Sequence, residues 1–308
     1  MPLQTWKLGE DTVPSREAWR AFVEAFDARP LDVDDSENAE IEAALSSWPE
    51  HLREVDLYSS ADESDLRDCR ESSSLRFARS LHVNAGDRWP SFLEDEPERF
   101  AHIRRVTIAD QYAYHENADF LAAMSGVEAI AIISPTLIDT LDVLGTLPSL
   151  AHLALTDYMS ISADQGGLDW IESASALETL ILFDNILESG TGWRMADSTL
   201  ARVQKLWLPL EVLLAHPAGS ASALSDITTQ VSSEEEMEEL VAWIEQMNRP
   251  PTSLSVLTNK RHSSQFPSPE GGWGEVVPEG TSVELLASSD FTRLWSTKVR
   301  CLGDSKRG

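Results

Sequence analysis

Seven histidines, His51, His82, His102, His115, His152, His216 and His262, are the residues best suited to acid–base or metal chemistry, and they are dispersed along the chain. His115 and Glu116 open like a helical zinc motif, but Asn117, Ala118 and Asp119 follow, so no second histidine returns one helical turn later. The two cysteines, Cys69 and Cys301, rule out a disulfide scaffold and a four-cysteine zinc site, and reduced thiols are expected. Two acidic runs, Asp32, Asp34, Asp35 with Glu37, and Glu234 to Glu236 with Glu238 and Glu239, lack the ligand order of a calcium loop. Both read as solvated helix starts, where negative charge is favoured. The chain has no G-x-S-x-G elbow, no phosphate loop ending in Gly-Lys-Ser/Thr, no H-E-x-x-H and no G-x-G-x-x-G. The expectation is therefore no catalytic, cofactor or metal residues, and no cofactor.

Charge points to a class of partner instead. The 308 residues carry 52 acids against 24 bases, a formal charge of −28. Each phosphate contact needs a cation, so nucleic acid and anionic membranes are disfavoured, while a protein with a basic patch would be steered in. Lysine is scarce, with Lys7, Lys205, Lys260, Lys298 and Lys306 the complete set. That skew fits a GC-rich bacterial genome or adaptation to high salt. Glu10, Asp11, Glu17, Glu24 and Asp27 interrupt the first thirty residues, and no stretch reaches the length of an apolar span, so a cytoplasmic location is expected.

The elements that must position these residues emerge from a repeat in the hydrophobic spacing. The pattern apolar-x-x-apolar-x-apolar occurs as LREVDL from Leu52, ARSLHV from Ala78, IRRVTI from Ile103, VEAIAI from Val127, LAHLAL from Leu150, LETLIL from Leu177 and VQKLWL from Val203. Successive copies start 26, 25, 24, 23, 27 and 26 residues apart. One copy would be chance in a chain that is 42% hydrophobic, but seven in phase predict short strands with alternating faces. Segments of helical composition lie between them, at Glu116–Ser125, Leu137–Leu144 and Asp169–Ala176. A unit this small cannot bury its own apolar face, so neighbours must stack.

These hexamers resemble the leucine-rich repeat proteins, with their L-x-x-L-x-L-x-x-N consensus, over Leu52 to Leu208. The ninth position departs from that family. Asn185 matches, whereas Ser60, Gly86, Gln111, Pro135, Tyr158 and Glu211 stand in the other copies, so the family's asparagine ladder is not expected to be regular. The resemblance implies an α/β solenoid with a curved parallel sheet of about seven to ten strands. A compact two-domain protein split near Leu210 is the alternative.

The expected organisation is a helical N-terminal cap over residues 1–50, the solenoid over 51–210, and degenerate repeats with a C-terminal cap over 211–308. Helices are predicted over Glu17–Phe26, over Ser36–Trp48 with Ile41, Leu45 and Trp48 inward, and over Ser232–Asn248. Further strands are predicted at Leu224–Thr229, Ser253–Leu257 and Ser282–Leu286. Residues 260–280, rich in glycine and proline, read as a mobile loop.

In this resemblance the concave strand face does the binding. Its first copies offer charge and hydrogen bonds through Glu54, Asp56, Tyr58, His82 and Arg105. The middle copies offer small residues, and the last offer Ile181, Phe183 and Trp207 beside Lys205. Those nine are the expected protein-binding residues, with the apolar ones as anchors if exposed. If C-terminal segments bury Trp207, it belongs to the core. The expected function is a bacterial interaction module binding a basic protein, such as an adaptor or an immunity or antitoxin protein. The alternatives are a hydrolase or transferase using Asp56 with His82, about 5 Å apart on neighbouring strands, and a substrate-recognition partner of a biosynthetic enzyme. His82 and His152, three repeats or about 14 Å apart, are too distant to share a metal or a proton.

Overall fold

The computed structural model describes residues 13–27, 35–58, 73–85, 97–110, 120–133, 142–156, 169–183, 195–258, 277–278 and 280–287. Cys69, Cys301, His115, the first acidic run up to Asp34, and residues 260–276 and 279 of the expected loop lie outside them.

Each hexamer forms a strand: β1 (Glu54–Tyr58), β2 (Ser80–Ala85), β3 (Arg105–Asp110), β4 (Ala129–Ile133), β5 (His152–Thr156), β6 (Thr179–Phe183) and β7 (Lys205–Trp207). β8 (Asp226–Val231), β9 (Ser253–Thr258) and β10 (Ser282–Ala287) continue the series. The ten lie in one sheet in sequence order, and every pairing is parallel. This is the sheet that a stack of right-sized repeats must build, because parallel neighbours require a crossover between them. Pairing runs unbroken from β7 to β8, so the sheet does not divide near Leu210.

The register reproduces the repeat phase. Val55, Leu81, Val106, Ile130, Leu153, Leu180, Leu206, Ile227, Leu254 and Val283 stand opposite one another in one line across the sheet. All ten belong to, or pack against, one hydrophobic core on the side of the return segments.

Within the described residues the helical returns are short. α3 (Phe120–Ala123), α4 (Asp142–Thr146), α5 (Asp197–Arg202) and α6 (Leu210–Leu214) are one-turn or slightly longer helices, and Ser73–Phe77, Pro97–Phe100 and Asp169–Ser173 are 3-10 turns. They stack closely. A Cβ on Gly145 would stand 2.5 Å from Trp170 O of the next return, so the turns pack with almost no space between them.

The turn into each strand carries a main-chain ladder. Arg53 O accepts from the N–H groups of Arg79 and Ser80, Arg79 O from those of Arg104 and Arg105, and Arg104 O from those of Glu128 and Ala129. The same two-donor arrangement repeats at Glu128, Ala151, Glu178, Gln204 and Ser225. Repeats are thus tied by backbone groups that every sequence possesses. This ladder sits at the opposite end of the strands from the family's asparagine position.

Both predicted cap helices form, as α1 (Arg16–Asp27) and α2 (Asp35–Leu45), with Ile41, Leu45 and Trp48 buried. Trp19, Phe22 and Phe26 of α1 are buried too, and Phe22 and Phe26 meet Phe77 edge-on at 5.9 and 5.2 Å. At the other end α7 (Glu234–Glu245) starts at Ser233, whose hydroxyl accepts from Glu236 N–H at 3.1 Å while Glu236 Oε2 accepts from Ser232 N–H at 2.6 Å. That reciprocal pair satisfies two otherwise orphaned donors. No described helix is long and apolar enough to cross a membrane.

Candidate functional site

Alternation places Glu54, Asp56, His82, Arg105, Ile181, Lys205 and Trp207 on the sheet face opposite the main core. One line across this face reads Glu54, Ser80, Arg105, Ala129, His152, Thr179, Lys205, Asp226, Ser253 and Ser282. The next reads Asp56, His82, Thr107, Ala131, Ala154, Ile181, Trp207, Thr228, Ser255 and Glu284.

The β1 acids face the cap rather than open solvent. Arg16 pairs with Glu54 at 2.7 Å and Arg20 approaches Asp56 at 3.6 Å. Trp19 Nε1 donates to Glu54 O at 2.8 Å. Arg53 O points to β2, so Glu54 O points outward, and the indole covers an edge carbonyl that would otherwise be a pairing template. Asp56 stands opposite His82, as the repeat spacing predicts. His82 is half-buried, and Arg105 is 8% exposed. Tyr58 and Phe183 occupy register positions opposite Asn84 and Thr156, but their side chains lie outside what is described.

Further along, part of the face is apolar and closed, while Lys205, Ser282 and Glu284 on it are exposed. Ala129, Ala131, Ala154, Ile181, Trp207, Leu257 and Leu286 form a second hydrophobic cluster. Ile181 is 3% and Trp207 2% exposed, so neither presents an apolar anchor to solvent, and Trp207 takes the core role. His152 is buried as well, its Nδ1 at 3.0 Å from the Thr179 hydroxyl. Lys205 is exposed at the margin.

A cluster absent from the sequence-based candidates joins cap to solenoid. Arg53, 3% exposed, donates from Nε to Phe77 O at 2.9 Å, from Nη1 to Leu45 O at 3.3 Å and from Nη2 to Glu42 Oε2 at 2.9 Å. Glu42 also accepts from Arg79. Burial pushes the Arg53 guanidinium below its ordinary value, and Glu42 beside it opposes that shift. The signal was present in the sequence: Arg53, Arg79 and Arg104 hold the second position of the first three hexamers. Arg104 repeats the theme, donating to Gly126 O at 2.8 Å. Among the described residues no group of three His, Cys, Asp or Glu side chains could hold a metal ion.

A sequential parallel sheet in repeat register, with short helical returns on one side, defines an α/β solenoid of leucine-rich-repeat type. No protein-family model matches the chain, and no curated protein matches it significantly. Among solved structures, an internalin from Listeria monocytogenes aligns with 76% of this chain and 67% of its own, at 10% identity and a TM-score of 0.31. The fold assignment rests on this chain's own register rather than on that alignment.

Proposed function

We propose that this protein is a non-catalytic scaffold that binds a protein with a basic surface, in the manner of an adaptor or an immunity protein. The observation that carries the reading is the acid excess displayed on an internally tied frame. On α7, Glu234, Glu235, Glu238, Glu239 and Glu245 are exposed, and the helix contains no basic residue. Such a field raises the encounter rate of a cationic partner and discourages anionic ones. On the strand face, His82 and Lys205 remain as polar contact positions, with Glu54 and Asp56 engaged by α1 and with Arg105, Ile181 and Trp207 supporting the face from within.

The test is recovery of the partner with the full chain and measurement of the dissociation constant across ionic strength. A basic partner whose affinity falls steeply with salt is the expected result. A salt-insensitive complex with a neutral or acidic partner overturns the reading. The enzyme alternative has one observation in its favour, the register position of Asp56 opposite His82. It predicts that Asp56→Asn with His82→Gln abolishes turnover of a substrate while partner binding persists.

A further inference from the structure

Outside the strand face, the described surface has a cleft of about 540 Å³ on the return side, between α7 and the segment that follows α6. Its walls are Leu214 and Ala218 on one side and Ala242 and Trp243 on the other, with Glu239 at the rim. Glu239, Ala242, Trp243 and Gln246 follow the i, i+3, i+4, i+7 spacing, so they share one stripe of the helix. That stripe has an apolar middle and a carboxylate one turn away.

The cleft is held open by its own bonds. Trp243 Nε1 donates to His216 O at 2.7 Å, and His216 Nε2 accepts from Met195 N–H at 3.3 Å. Both polar groups of the floor are therefore engaged by the protein and fix the distance between the walls. Glu239, by contrast, is exposed and has no ion-pair partner among the described residues. Glu235 lies one turn further along the same side, also exposed.

A long cationic side chain complements this arrangement in both its parts. Its methylene stem would lie against Leu214 and Ala242, beside the edge of the buried Trp243, and its head would reach the Glu239 carboxylate. An acidic side chain would meet the α7 carboxylates, and a purely apolar one would leave Glu239 without a counter-charge.

We propose that this cleft is a docking point for the basic partner, taking one arginine or lysine side chain from a short segment flanked by apolar residues. The inference rests on the reading of the protein as a binder of a basic partner, and it can fail separately. The probe is a capped, dye-labelled peptide of alternating leucine and arginine, titrated into the full chain and followed by fluorescence anisotropy. A peptide with glutamate at the arginine positions is the control.

Three variants at exposed positions are compared. Ala242→Arg supplies a cation in cis, one turn from Glu239, and fills the cleft. Glu239→Gln removes the carboxylate but keeps the shape. Glu284→Gln on β10 removes an equal charge elsewhere. Arginine and glutamine are good helix formers, so α7 should remain folded, which circular dichroism and the melting temperature verify.

The expected result is at least tenfold weaker arginine-peptide binding in Ala242→Arg, at least threefold weaker in Glu239→Gln, and no change in Glu284→Gln. Equal affinity in Ala242→Arg and the parent overturns the cleft. Equal losses in Glu239→Gln and Glu284→Gln overturn it too, because binding is then diffuse charge attraction. Binding of the glutamate peptide as tightly as the arginine peptide has the same consequence. If a purified basic partner binds Ala242→Arg as tightly as the parent, the cleft falls while the scaffold reading stands. If the parent binds neither a basic partner nor the arginine peptide, both fall.

Discussion

The first three strands and the seven that follow share one core but differ on their other face, since only the later strands add a buried apolar cluster there to their polar positions. On β1 to β3 that face carries Glu54, Asp56, His82, Arg105 and Thr107, and the cap helix answers it with Arg16 and Arg20. From β4 onward it carries Ala129, Ala131, Ala154, Ile181, Trp207, Leu257 and Leu286, which cluster and are buried. The repeat pattern constrains one face alone, because its apolar positions all turn to the returns. The other face is free to vary, and this chain uses it for polar attachment at one end and for a second apolar layer along the rest. Strand sequence reflects the division. EVDLY alternates, as a one-sided strand should, whereas AIAII and TLILF are nearly continuous, as strands buried on both faces are.

The strongest way to break this comparison is Trp207→Ala. If the second layer is a true core, the change should destabilise the protein by about 3 to 5 kcal/mol, as truncation of a buried aromatic does. Urea unfolding gives the number, with His82→Ala on β2 as the reference from the polar region. Equal losses in the two variants would mean that the apolar layer contributes no more than the polar face. Arg53→Ala comes next. It orphans the carbonyl of Phe77, which accepts from the buried guanidinium, while Leu45 O keeps the Trp48 N–H. The expected cost is about 2 kcal/mol, since an unsatisfied buried acceptor is expensive while Glu42 regains water. Denaturation should show the loss beginning at the N-terminal end, because repeat proteins transmit stability mainly between neighbours. A loss spread evenly over all strands in hydrogen exchange would contradict that localisation.

The strands were legible in the sequence because their register is the repeat spacing itself. The offset between Leu52 and Ala78 in the hexamers is the offset between Val55 and Leu81 in the sheet. The cap helices were legible for a similar reason, since Ile41 and Leu45 fall on one helical face and are buried there, with Trp48 buried in the turn that follows. The returns were less so: Asp169–Ser173, of helical composition, forms a 3-10 turn packed tightly against Gly145, and composition does not report such contacts. The burial of Trp207 was open in the sequence, because hexamer spacing carries no information about what lies against the second face. AIAII was the available sign. The arginine column was visible, but its meaning lies in carbonyls of the neighbouring returns, which only the stacked structure brings within reach. The inter-repeat ladder has no sequence signature at all, being built from main-chain groups.

The smallest expected effect is a pH dependence confined to the polar end. His102 lies between the turn Pro97–Phe100 and β3, half-buried, with Nε2 at 3.0 Å from Leu75 O of the preceding repeat. Burial lowers its pKa below the ordinary histidine range and Arg79 adds to that shift, while the Leu75 carbonyl and Glu42 oppose it. The unfolded chain, with a histidine pKa of about 6.5, therefore binds a proton before the folded chain does. Stability from this group is fully present above that value and falls as pH drops through it toward the lowered folded value, where the loss levels off. His102→Gln can keep a donor for Leu75 O but has nothing to protonate. Between about pH 7.5 and 5.5 the parent should thus lose more stability than the variant, by urea unfolding at each pH. Parallel curves for the two proteins would remove His102 from the account. Hydrogen exchange sharpens the contrast: as the pH falls, amides of β2 and β3 should lose protection ahead of those of β9 and β10, strands that contain no histidine.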